Sequence, residues 1–334
     1  MTETPVKDPS SKLFPNFGVI ISRVAIAVAM LPLALFAYSL LGRYFFFAEL
    51  VSNFRVQIMM MLLPFALLTL SMRRWWLCGL IGFAVIWCMA GTVWIHLPSS
   101  QPPAGPKKLK IMSYNILGTN ERQHIVIQKI KQIDPDVISV LEYTNFWHMA
   151  FDELGDTYPY RIRLPRWHGF GVAMLSKYPL ENRKISQLTG HATDNPLIMA
   201  DVKFAGQTIR IAAMHVISPM NRDRMDIRNS QLSEAADIFA GDGKPTVVMG
   251  DFNCTPWSPF LQDFLVKTGY RDSRQGFGYQ GTWPAQHWPL RIPIDHAFVS
   301  EEIHVHSRTL GHSAGSDHIP IVFEVSTAKV PTVN

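Results

Sequence analysis

Three uncharged apolar runs, each fenced by arginine, fill most of the first hundred residues and limit what this chain can become. Val24 to Gly42 lies between Arg23 and Arg43, Val56 to Met72 between Arg55 and Arg73, and Trp75 to Leu97 follows Arg74. At about 1.5 Å per residue, the first run reaches roughly 28 Å, about one hydrocarbon core. Pro32 and Pro64 interrupt two of the runs, which membrane helices tolerate better than soluble ones. Trp75, Trp76 and Trp94 sit near the ends of the third, where interfacial aromatics belong. A buried hairpin of a soluble protein accounts for one such run, not three. A cleaved signal peptide is not the expectation, because apolar sequence continues far beyond any plausible cleavage site. The expectation is a membrane anchor over 1–97, with transmembrane helices at about 24–42, 56–72 and 75–97.

Charge divides the chain at the same place. Residues 1–107 hold 8 basic and 3 acidic side chains, which supplies the whole net charge of +5, while the remainder holds 23 of each. A nucleic-acid binder carries its basic excess on the binding domain; here the excess lies beside the apolar runs, where it sets orientation. With three spans, Lys7, Lys12, Arg23, Arg73 and Arg74 share one side, against Arg43 and Arg55 on the other. That bias places the N-terminus inside and the larger half of the chain outside the cytoplasm, although Lys107, Lys108 and Lys110 count against it. Residues 98–107, rich in proline, read as a linker. Cys78, Cys88 and Cys254 show no metal-ligand spacing and read as reduced packing residues.

From residue 108 the pattern becomes that of an α/β domain reaching to 327, with 328–334 as a tail. Strand signals cover 109–116, 137–141, 171–175, 198–204, 208–214, 246–249, 294–299 and 319–325, and helical spacing covers 123–133 and 223–239. Polar residues recur where apolar strands stop: Asn115, Glu142, His215, Asp251, Asn253, Asp295, Asp317 and His318. Strand ends suit chemistry, because core packing fixes the backbone while the side chain stays accessible.

These edges carry S-Y-N-I (113–116), L-E (141–142), M-H (214–215), R-N-S-Q (228–231), G-D-F-N (250–253), I-D-H (294–296) and G-S-D-H (315–318). In that order they resemble the endonuclease/exonuclease/phosphatase superfamily, the DNase I-like proteins. The resemblance implies a four-layer α/β sandwich, with two mixed sheets packed face to face and helices outside. It implies that Glu142 is the principal metal ligand, with Asn115 beside it and Asp317 near the metal. It further implies that Asp251 orients or deprotonates the attacking water, with Asn253 its phosphate-contacting companion. His215 would contact phosphate, and His318, oriented by Asp295, would be the second catalytic histidine. The cofactor implied is Mg²⁺, with Mn²⁺ as the other candidate.

The chemistry agrees with those roles. A phosphate ester repels a nucleophile and its leaving oxygen gains charge; a hard cation on one or two carboxylates neutralises both. Directed donors stabilise the pentavalent transition state, and a carboxylate positions water. Each residue alone could be a turn or capping residue; seven motifs in order argue otherwise. Arg228 and Gln231, at i and i+3, share a helix face and read equally as a structural clamp or as substrate contacts. His168 beside Gly169 is a candidate at the substrate edge, whereas His124, His148, His191, His287, His296, His304, His306 and His312 read as surface or packing residues.

The expected activity is hydrolysis of a phosphate ester or pyrophosphate at the inner membrane. A lipid-linked substrate is favoured because the anchor holds the site near the bilayer. The layout resembles the teicoplanin-resistance membrane proteins, which implies action on a lipid carrier of cell-wall synthesis. A membrane-tethered nuclease is the first alternative, weakened by the neutral catalytic half, and a catalytically silent scaffold is the second. The loop 273–293, rich in Gly, Pro and Trp, is the candidate for substrate selection. The sequence says nothing of oligomeric state.

Overall fold

The computed structural model describes residues 17–189 and 195–327. Lys7, Lys12, His191 and the tail 328–334 lie outside the described residues. Twelve strands run in chain order: β1 (Leu109–Asn115), β2 (Val137–Leu141), β3 (Tyr160–Leu164), β4 (Val172–Ser176), β5 (Leu180–Leu188), β6 (Asn195–Phe204), β7 (Gln207–His215), β8 (Thr246–Asp251), β9 (Arg271–Asp272), β10 (Asp295–Val299), β11 (Ile303–Leu310) and β12 (Ile321–Thr327). They form two six-stranded sheets, ordered β11-β12-β1-β2-β4-β3 and β5-β6-β7-β8-β10-β9. Each sheet is mixed: β1–β2 and β7–β8 are parallel, while β1–β12 and β8–β10 are antiparallel.

Period-two alternation sorts the side chains into layers. Leu109 and Ile111 of one sheet meet Ile209, Ile211, Ala213, Val247, Met249 and Ala297 of the other, in the core between the sheets. The intervening residues face outward. Met112, Tyr114, Ile138 and Val140 pack under helix Gln123–Ile133; Ala212, Met214, Val248 and Phe298 pack under helices Arg222–Phe239 and Pro259–Thr268. Burying an aliphatic or aromatic side chain contributes about 1.5–3 kcal/mol, so these three interfaces hold the sandwich together.

The N-terminal helices are α1 (Phe17–Ser39), α2 (Phe46–Ser52), α3 (Arg55–Ser71) and α4 (Trp75–Val93); α5 (Gln123–Ile133), α6 (Asn145–Ala150), α7 (Arg222–Phe239) and α8 (Pro259–Thr268) follow in the sandwich. Leu33, Phe36, Ile58, Leu62, Leu77 and Ile81 join α1, α3 and α4 in a separate apolar cluster. Among the described residues one helix, Trp75–His96, is long and apolar enough to cross a membrane. A second passes if α2 and α3, bent by 69°, count as one span, while Ile26–Ser39 is a shorter apolar helix. Three full spans were the expectation; the described helices supply one or two candidates.

Helix α2 was not expected, and it ties the helical region to the sandwich. Glu49 forms a 2.5 Å ion pair with Arg228 of α7, both side chains fully buried, and accepts a hydrogen bond from the Ser258 hydroxyl. Asn53 Oδ1 accepts from both the backbone N–H and the hydroxyl of Thr255. Gln57 donates to the carbonyls of Pro289 and Arg291. The expected linker is also packed: Gln101 accepts from Val305 N–H, and Gly105 N–H donates to Ser326. Substituting Glu49 with alanine leaves Arg228 buried with no counter-charge. Breaking one side of such a pair costs about 3–5 kcal/mol, so a lowered unfolding midpoint of the purified full-length protein in detergent is the expected outcome.

Candidate active site

The inward-facing alternation of the strands does not stop at the end of the apolar core. Two residues beyond Ala213 comes His215, two beyond Met249 comes Asp251, and two before Ala297 comes Asp295. Asp251 pairs with His215 across β7–β8 and with Asp295 across β8–β10, so three ionisable side chains stand at one level of one sheet. In the facing sheet, Ile111 leads by two such steps, through Ser113, to Asn115, which pairs with Leu141; Glu142 follows immediately. Close approach of β7 and β8 at this level depends on Gly250, where a Cβ would lie 1.9 Å from the Met214 carbonyl oxygen at a φ of +147°.

Asn115 sits where the two sheets meet. Its amide nitrogen lies 3.0 Å from Glu142 Oε1, 3.2 Å from Asp251 Oδ2 and 3.5 Å from His318 Nε2. Glu142 has left-handed backbone (φ 57°), and its other oxygen accepts from Gly118 N–H at 2.9 Å. Asn253, also left-handed (φ 49°), closes a turn in which its N–H donates to Asp251 Oδ1, while its side-chain amide donates to the Val216 carbonyl. Strain of this kind is characteristic of functional turns. His318 Nδ1 lies 2.8 Å from Asp295 Oδ2, and its Nε2 points back toward Asp251 at 3.7 Å. His215 Nε2 approaches the same Asp251 oxygen at 3.6 Å.

Burial sets the protonation states. It pushes the Asp251 carboxyl up, to about 7, with the charge of Asp295 adding to the rise. Asp295 is held below the usual carboxylate range despite burial, because His318 faces it and bonds to it. Burial works against the His318 cation, but Asp295 and Asp251 outweigh it and raise the imidazole to about 10. His215 moves the other way, lowered first by burial. One histidine is therefore held as a cation and the other as a neutral ring.

The donor set fits a hard divalent cation. Asp251, Asp295 and His318 each offer a ligand atom within 4.8 Å of the others, which makes them a candidate metal group. Beside them the Glu142 and Asp251 carboxylates converge on one amide, and Asp317 Oδ1 is buried without a hydrogen-bond partner. The carboxylate oxygens of this set are the hard donors that such an ion takes.

A cleft of about 580 Å³ gathers Glu142, His168, His215, Asp251, Asn253, Asp317 and His318. Asn115 and Asp295 lie behind them, bonded to that set. Asp317 is turned by the Trp283 indole, which donates to Oδ2 at 3.0 Å. Arg228 does not line the cleft: it is fully buried, bonded to Glu49 and to the Asn253 carbonyl, so of its two readings the structure gives the clamp. Gln231 also clamps, accepting from Ile217 N–H and donating to the Thr189 carbonyl. The arginine that lines the cleft is Arg224, one helical turn earlier, whose Nε is buried without a hydrogen-bond partner. Its position four residues before Arg228 was the one available signal. Leu50, Asn53 and Phe54 of the helical region also line the cleft; nothing in their sequence marks them.

The Endonuclease/Exonuclease/phosphatase family model matches residues 112–318. Among solved structures, humanized TDP2 of D. rerio is similar with a TM-score of 0.57 at 20% identity, covering 66% of this chain and 99% of that one. A Beutenbergia cavernae endonuclease/exonuclease/phosphatase (TM-score 0.54, 17% identity) covers 66% and 72%. The human Nocturnin catalytic domain with bound sulfate (TM-score 0.54, 20% identity) covers 66% and 95%. No curated protein gives a significant match. At these identities the structures establish a shared fold, in which two mixed sheets pack between helices.

The His318–Asp295 pair generates a prediction for the metal-free protein. A folded value near 10 lies above the unfolded value of about 6.5. The pair's stabilisation is therefore complete below about pH 6.5 and fades as pH rises through about 10. Imidazole ¹⁵N shifts in chelator-treated protein are expected to report a His318 cation at pH 8, and Asp295→Asn is expected to leave that ring neutral there.

Proposed function

The chain belongs to the endonuclease/exonuclease/phosphatase family, and from that premise we propose that it is a divalent-metal-dependent phosphoesterase acting on a phosphate ester or pyrophosphate of a membrane lipid. One observation carries the reading: Glu142, His215, Asp251, Asn253 and His318, far apart in sequence, line one cleft to which Leu50, Asn53 and Phe54 of the N-terminal region also contribute. Glu142, with Asn115 and Asp317 or with Asp251, would hold Mg²⁺ or Mn²⁺, which when bound neutralises charge on the phosphoryl oxygens.

The protein's own groups supply the rest. The His318 imidazolium, oriented by Asp295, donates to an oxygen that gains charge. Asp251, with its affinity for a proton raised to about 7, orients water and accepts its proton near neutral pH. His215 and Asn253 offer further polar contacts to the phosphoryl group, and His168 and Arg224 stand at the substrate edge.

The membrane reading rests on exposure. Val24, Val28 and Leu31 of α1, Met60 and Leu67 of α3, and Phe83 and Ile86 of α4 are all exposed. Contiguous apolar surface of this kind belongs against another apolar phase. We read α1, α3 and α4 as three spans of an integral inner-membrane protein, with 98–107 joining the anchor to a catalytic domain over 108–327. Arg43 bonds to Asp263 of the sandwich, and Gln57 bonds to its 273–293 loop. These bonds support a reading in which the first loop and the catalytic domain share a side, as three spans require. The charge bias supports an extracytoplasmic assignment of that side.

A substrate panel tests the proposal. Full-length protein with Mg²⁺, in detergent and in liposomes, would be offered polyprenyl pyrophosphate, a chromogenic phosphodiester and plasmid DNA. Phosphate release from the lipid is expected, with Glu142→Ala, Asp251→Ala and His318→Ala each lowering kcat by about 10²–10³-fold. DNA nicking without lipid hydrolysis overturns the lipid assignment, and identical behaviour of wild type and Asp251→Ala overturns the enzymatic one.

A further inference from the structure

The cleft has two unlike halves. Its floor is polar, made by strand ends and the turns after them. One wall is apolar and comes from a different part of the chain: Leu50 of α2 and Phe54 at the α2–α3 bend, with Ile292, Ile294 and the Trp283 ring beside them. No known requirement of phosphoryl chemistry calls for that wall. It is also not loosely placed. Between Leu50 and Phe54 in sequence, and one residue before them, the chain is fastened to the sandwich by Glu49 on Arg228 and Ser258 and by Asn53 on Thr255.

The fastening reaches the reacting site directly. Arg228 Nη1 donates to the Asn253 carbonyl at 3.1 Å, so the same guanidinium holds α2 and the turn that follows Asp251. Apolar residues near the wall in sequence are exposed. Tyr44, Phe45 and Phe47 at and beside α2, and Trp288 and Leu290 on the loop that Gln57 grips, are all exposed. Exposed apolar side chains thus flank, in sequence, the α2 segment that lines the cleft.

We infer that Leu50 and Phe54 are specificity-determining residues that contact the hydrocarbon adjoining the substrate's phosphate, on a wall held in place by Glu49 and Asn53. The ligand class is a phosphate ester whose alkyl or polyprenyl chain begins within a few bonds of the phosphorus. The inference rests on the phosphoesterase reading and narrows it. It also assigns Glu49 a positioning role, because loosening α2 shifts the Asn253 turn through Arg228.

Chain length is the experimental variable. Full-length protein in detergent would be assayed with butyl phosphate and decyl phosphate. Binding of decyl and butyl phosphonate would be measured by calorimetry. Removing apolar contacts from a substrate pocket changes discrimination by about 10–200-fold. The Leu50→Ala/Phe54→Ala double variant is expected to lower the decyl-to-butyl ratio of kcat/KM at least about 10-fold, with Phe54→Leu retaining most of it. Glu49→Gln, which loosens the mounting of α2 on Arg228, is expected to lower kcat for both esters and to lower the decyl-to-butyl ratio with it.

Equal losses on both esters in the double variant, or an unchanged ratio, overturn the inference. If wild type hydrolyses neither ester, the phosphoesterase reading fails on these substrates and the phosphonates decide the wall by themselves. A decyl preference that the double variant abolishes upholds it, and indifference to chain length overturns it. Should the double variant unfold, the Phe54→Ala single variant gives the same comparison.

Discussion

Asp251 and Asp295 face each other across β8 and β10, both almost fully buried. Two carboxylates so placed cannot both be charged without positive charge nearby. The surroundings answer that constraint from both sides. His318 takes a proton and bonds to Asp295, and Asp251 is pushed toward the neutral acid. The Asn115 amide donates to Asp251 and Glu142 together. A group poised to release or take a proton near pH 7 arises here from the cost of burying charge. The same concentration of negative charge suits the site to a divalent cation.

Most of the sandwich was legible because its inner strands are apolar on both faces. Helix 123–133 and strand 137–141 agree with the structure to the residue, and the strands expected at 109–116, 171–175, 198–204, 208–214, 246–249, 294–299 and 319–325 correspond to β1, β4, β6, β7, β8, β10 and β12. The strands that escaped are β3, β5, β9 and β11, and these are the four edges of the two sheets. Edge strands carry charge as protection against pairing with other chains. The sequence of β5, Leu-Glu-Asn-Arg-Lys-Ile-Ser-Gln-Leu, has exposed polar residues through its middle, so neither an apolar run nor clean alternation announces it.

The site was legible for a related reason. Its residues terminate inner strands, so each sits beside a strong apolar signal, and the motifs keep a fixed order. What could not be read was anything brought in by tertiary packing alone. Arg228 and Arg224 are one turn apart on α7 and chemically identical; only the position of α2 decides that the first is a buried clamp and the second lines the cleft. His296, read as a surface or packing residue, is packing, bonded between Arg274 and the Cys254 carbonyl.

Glu49 shows why the helical region is more than a tether. As the one acid in the stretch between the first two apolar runs, it reads in sequence as an ordinary loop charge. In the fold it is the counter-charge for an arginine of the catalytic sandwich, fully buried on both sides. A buried ion pair is a poor source of net stability, because desolvation of both charges offsets much of their attraction. It is a strict source of position, since either charge left alone is severely unfavourable. The α2 helix therefore has one place to sit, and that place puts Leu50 and Phe54 on the cleft. A flexible tether would raise the local concentration of a membrane substrate without shaping the site. A pinned helix makes the N-terminal helical region and the polar floor of the cleft parts of one surface, so the position of α2 enters the geometry of the site.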